Sequence, residues 1–138
     1  MIDRRALLGS GLALPAIGSA AAPRDRGAEE WTFLRSIDKD PAALLRFIEA
    51  NWLAMDRKAI AAGIFAEARL LVAVDAPADD EWNVAMAVRY YSAGGYDDVK
   101  PQFDRIKTAH SIIRPDGKGL AELGRIMGNR RLVMTAHD

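Results

Sequence analysis

The residues best suited to chemistry with a small molecule are three arginines, Arg35, Arg69 and Arg89. A guanidinium fork grips a carboxylate or phosphate through paired hydrogen bonds, so several aimed at one pocket would select an anionic ligand. Tyr91 stands two residues after Arg89. An alternating strand puts both on one face, where the phenol could orient a ligand oxygen. Asn51 and Trp52 are candidates for the mouth of such a pocket. A competing reading has Glu67 pairing with Arg69, and the other arginines forming salt bridges at an interface. Histidine occurs at His110 and His137 alone. An imidazole titrates near neutral pH and can act as a general base, which makes His110 and Tyr91 the catalytic candidates. His110 also falls among apolar helical positions, where a core or interface role competes.

Other chemistries lack their residues. The chain has no cysteine, which removes disulfides, thiolate nucleophiles and Cys-based zinc sites. Two distant histidines do not make a catalytic metal site, so no metal is expected. His110 is the one candidate for an axial haem ligand, and no cofactor is expected. Asp79-Asp80-Glu81 lacks the spaced oxygens of a calcium loop. Gly117-Lys118 lacks the upstream glycine and following hydroxyl of a phosphate loop. Nineteen basic residues balance nineteen acidic ones, so bulk charge gives no affinity for nucleic acid.

The elements that would position these residues follow an N-terminal segment of another kind. Residues 1–22 read as a secretory signal peptide, with a charged start, a short apolar run and small residues at its end. The run falls short of the roughly 20 apolar residues of a membrane span. Arg4-Arg5-Ala6-Leu7-Leu8 resembles a twin-arginine signal, although Asp3 and Leu7 occupy places usually held by Ser or Thr and by an aromatic residue. The resemblance implies export of already folded protein. Cleavage is expected after Ala20 or Ala21, leaving a periplasmic or secreted protein without a stable membrane anchor. Residues 23–30 are polar and are expected to form a flexible lead.

The domain is expected over 31–138. Residues 31–37 read as a strand. Asp40 and Pro41 open a helix that Gly63 ends, with Leu44, Leu45, Ile48, Trp52, Met55 and Ala59 on one stripe. Residues 65–75 and 82–92 form a hairpin, and a second helix carries Val99, Phe103, Ile106 and His110 on its apolar side. A short helix over 120–127 precedes a last strand over 130–137. This is the α+β, ferredoxin-like βαββαβ order: a four-stranded antiparallel sheet with helices on one face. Alternation places Arg69, Arg89, Tyr91, Leu71, Ala73, Ala85, Ala87 and Val133 on the second face, with Trp82 opposite. Arg35 shares a face with Trp31 and Phe33. The second face is too apolar to meet water alone.

This element order, together with the helix carrying Asn51-Trp52-Leu53-Ala54-Met55-Asp56, resembles the dimeric α/β-barrel superfamily. The resemblance implies a homodimer joining two sheets into a barrel. It also implies a small anionic or aromatic ligand, and a cofactor-independent monooxygenase or isomerase as the activity. The alternative is a non-catalytic periplasmic binding or assembly module whose sheet face is only an interface. Residue types alone leave open whether the chain is an enzyme.

Overall fold

The computed structural model describes residues 27–75 and 77–135. The signal peptide expected over 1–22, the start of the lead and His137 lie outside the described residues. The chain runs β1 (Glu29–Ser36), α1 (Ala42–Ile48), a π-helical turn (Glu49–Leu53), α2 (Ala54–Ala61), β2 (Glu67–Val72), β3 (Val84–Arg89), α3 (Tyr96–Ala109), α4 (Leu120–Leu123) and β4 (Gly124–Leu132). Residues at both ends of the π turn keep right-handed helical dihedrals, so α1, the turn and α2 make one continuous rod. Asp40 Oδ1 accepts from the Ala42 N–H at 2.9 Å, satisfying one of the free donors at the helix start. Gly63 closes the rod at φ 76°, a left-handed conformation that glycine adopts without steric cost.

The sheet order is β2-β3-β1-β4, with every neighbouring pair antiparallel. This is the expected ferredoxin-like arrangement. Three elements differ from the sequence reading. β1 starts at Glu29 rather than at residue 31, because Ala28 already bonds across to Ser92 and Tyr90. The last strand starts at Gly124 rather than at 130, and α4 stops at Leu123. Gly124 explains both shifts. A Cβ there would meet Leu44 Cδ2 at 2.9 Å and the Arg35 carbonyl at 3.0 Å. The bare backbone lets β4 pair tightly with Ser36 while packing under α1. The earlier start also sets the faces: Leu132 lies opposite Glu29, so Leu132, rather than Val133, belongs to the second face.

All helices contribute to one face. Leu34, Val84 and Met86 meet Leu44, Phe47, Ile48, Leu53 and Leu123 in one cluster. Phe65, Tyr90 and Phe103 meet Met55 and Ala59 in another. On the opposite face Trp31, Phe33 and Trp82 form an aromatic row, with ring centroids 6.0 and 5.0 Å apart. Trp82 was expected on the helix side. It lies instead against Phe33, because Asn83 turns inward and strand alternation restarts at Val84. The Asn83 amide accepts from Ser36 N at 3.0 Å and donates to Ser36 Oγ at 2.8 Å.

Candidate functional site

Between the helix layer and the sheet lies a cavity of about 460 Å³. Trp52, Met55, Phe65, Met86, Val88 and Phe103 give it a mainly apolar wall. That volume and character suit a small organic molecule. Asp56, Tyr90 and His110 also line it.

Asp56 follows Trp52 by four residues and precedes Ala59 by three, so helix geometry brings it onto the buried stripe. It is 7% exposed and has no hydrogen-bond or ion-pair partner among the described residues. A carboxylate stripped of water and left without donors favours its neutral form. Burial accordingly raises its pKa from 3.8 to about 7. At neutral pH the group can therefore either release or accept a proton.

Tyr90 is 4% exposed, with its ring edge-on to Phe65 at 5.0 Å between centroids. Burial first, then the charges of Glu30 and Asp56, push its hydroxyl well above the usual phenol range. The phenol stays protonated and is a donor, and its hydroxyl has no partner among the described residues. Glu30 is differently placed. It accepts from Arg131 Nε at 2.7 Å and from the Tyr96 N–H at 3.1 Å.

His110 is held from behind by Asn51, which is fully buried in the π turn. Asn51 Nδ2 donates to the carbonyls of Phe47 at 2.9 Å and Ile113 at 2.7 Å. Its Oδ1 accepts from the Ile113 N–H at 2.7 Å and lies 2.8 Å from His110 Nε2.

The residues singled out from the sequence divide between the two faces. Arg35, Arg69 and Arg89 come to the open face of the sheet. Each is engaged: Arg69 with Glu29 at 2.7 Å, Arg89 with Glu67 at 3.2 Å, and Arg35 with Asp79 at 3.6 Å. Arg69 also lies over the Trp31 ring. Trp52 and His110 line the cavity on the other face, and Asn51 stands behind it rather than at a mouth shared with the arginines. Tyr91 is exposed, while its neighbour Tyr90 takes the inward position.

Sequence reading missed Asp56 and Tyr90. A signal for Asp56 was present, since a lone acid interrupts the stripe of Trp52, Met55 and Ala59. Among the described residues no cluster of three or more acids and histidines is placed to hold a metal. No helix among them is long and apolar enough to cross a membrane.

No family model and no curated protein matches the chain. Among solved structures, a dimeric ferredoxin-like protein from an uncultured marine organism is similar. The match has a TM-score of 0.50 and 14% identity, and it covers 83% of this chain and 94% of the other. Likeness at that identity speaks to fold: the chain is an α+β protein of ferredoxin-like architecture.

Proposed function

We propose that this protein binds a small aromatic or enolisable molecule in the cavity between helices and sheet, and moves a proton on it. The observation that carries the reading is Asp56, a buried carboxyl without a partner among the described residues, on the wall of a mainly apolar chamber. A protein tolerates such a group at a cost in stability, and groups of this kind concentrate where acid–base chemistry is done. The carboxylate would take a proton from carbon or oxygen, and the Tyr90 hydroxyl would donate to the oxygen on which charge develops. Returning the proton at a second position completes an isomerisation. The same deprotonation opens cofactor-independent monooxygenation, with dioxygen as the added reactant.

The test uses 2-tetralone, a small aromatic ketone with acidic carbon-bound protons. Proton NMR in heavy water should show exchange accelerated by the wild-type protein and reduced about 100-fold in Asp56→Asn. Equal rates in the two proteins would remove Asp56 from the chemistry. Equal rates with and without protein would defeat the catalytic reading.

The functional unit we propose is an exported homodimer, joined through the aromatic face of the sheet. The aromatic row and half-exposed Leu132 make an apolar patch that a second copy would cover. Arg4-Arg5 and the apolar run behind them support export. Native mass spectrometry of protein from its own host would read mass, cleavage after Ala20 or Ala21, and any retained ligand together. A monomer at micromolar concentration would defeat the dimer.

A non-catalytic assembly module is the second reading. The ion pairing of Arg35, Arg69 and Arg89 favours it, because engaged guanidinium groups suit an interface better than an anion pocket. Dimerisation without 2-tetralone exchange would select it.

A further inference from the structure

We propose that His110 is a second proton acceptor of the cavity, with Nδ1 as its accepting atom and Asn51 as the positioning residue that fixes the imidazole tautomer. This rests on the reading of the cavity as a ligand site. It adds a class of ligand group: a phenol or enol hydroxyl, able to donate to a ring nitrogen.

The argument begins with Asn51, whose amide orientation its backbone partners dictate. Two carbonyls, of Phe47 and Ile113, need donors, and one N–H, of Ile113, needs an acceptor. Nδ2 must therefore face the carbonyls and Oδ1 the N–H. A flipped amide would set oxygen against two carbonyl oxygens and nitrogen against a donor. With Oδ1 so placed, His110 Nε2 can approach it at 2.8 Å only as a donor. The neutral ring then carries its hydrogen on Nε2 and a lone pair on Nδ1. Nδ1 has no hydrogen bond to another described residue, and the side chain lines the cavity beside Ile112 and Lys107.

Asn51 is fully buried, and four hydrogen bonds satisfy it. One amide thereby joins the rod to the strand-like segment after α3 and orients a base. A base held by a second group through its far nitrogen is the general pattern by which proteins aim an imidazole at a proton.

The sequence has only two histidines, so ring-nitrogen NMR of the full chain is readable, with His110→Gln to assign the signals. Spectra under mildly alkaline conditions should show His110 wholly as the Nε2–H form. Asn51→Ala should release it into a tautomer mixture. Asn51→Asp, as the buried neutral acid, keeps an acceptor oxygen for Nε2 and a hydroxyl donor for one carbonyl, and should preserve the Nε2–H form. The probe ligand is 2-naphthol, whose own fluorescence reports binding. Its addition should shift the Nδ1 resonance of His110 and leave that of His137 in place.

A mixed or Nδ1–H wild-type ring would overturn the proposal even if both Asn51 variants fail to fold. So would naphthol that binds without moving Nδ1, and in that case the cavity would stand as a ligand site. Naphthol that does not bind up to millimolar concentration would overturn the cavity reading, and this inference with it.

Discussion

The two faces of the sheet treat charge in opposite ways. On the open face Arg35, Arg69 and Arg89 each meet an acid, and Glu29 and Glu67 are engaged in return. These groups are partly wet, and their pairing costs little. On the helix side Asp56 and Tyr90 are almost dry, and neither side chain has a hydrogen-bond partner among the described residues. There the desolvation penalty is left unmet. Stability alone would have filled the second region and had less need to pair the first. The difference separates a face whose charges are paired from a covered face whose polar side chains are left without partners among the described residues.

The sharpest way to break that contrast is Asp56→Asn. The folded state holds the Asp56 proton up to about pH 7, and the unfolded state only to about 4. The penalty of burying it is therefore absent below pH 4, builds as pH rises towards 7, and is complete above that. Urea titrations should find the variant more stable than wild type at pH 8, by on the order of 4 kcal/mol. The two should converge at pH 4. A variant less stable at pH 8 would mean that the carboxylate has a partner after all.

Leu34→Ala tests the solid part of the core, where Leu34 is fully buried among Leu44, Ile48 and Val84. It should cost about 3 kcal/mol by the same titration while leaving the cavity intact, so that 2-naphthol still binds. Trp31→Ser removes one end of the open aromatic row. Sedimentation should show dimer dissociation raised at least tenfold, on the order of 2 kcal/mol, with little change in 2-tetralone exchange. An unchanged dimer would put the contact elsewhere. Arg89→Ala breaks an exposed pair with Glu67 and should shift stability by less than about 1 kcal/mol. Loss of ligand binding in that variant would return the arginines to the site.

How much of this was legible depended on the kind of signal. Strand alternation brought Arg69, Arg89, Ala85 and Ala87 to one face correctly, because a period of two survives local irregularity. It failed at Trp82 and in β4. A single inward asparagine restarted the alternation in the first case, and a glycine started the strand six residues early in the second. The stripe of the long helix was readable, and the acid within it was passed over because a charged residue on a helix is by default read as solvated. Alternation from Val84, Met86 and Val88 puts Tyr90 on the helix-covered face, but nothing in it says that this face, rather than the one with the arginines, holds the cavity. The hydrogen bonds of Asn51 reach about sixty residues along the chain, to His110 and Ile113, beyond any local pattern.

The wide turn at Glu49–Leu53 has a last consequence. An α-helix advances 100° per residue, and a π turn inserts the equivalent of one extra residue into that screw. The stretch before it sets Leu44 and Ile48 into one half of the core. The stretch after it sets Met55, Asp56 and Ala59 into the other. An uninterrupted α-helix of the same length would present the first half unchanged and swing the second about a quarter turn, taking Asp56 off the chamber wall. The chamber's acid is therefore a matter of phase as much as of residue type: the wide turn takes up one residue, and both halves of the rod still face the sheet.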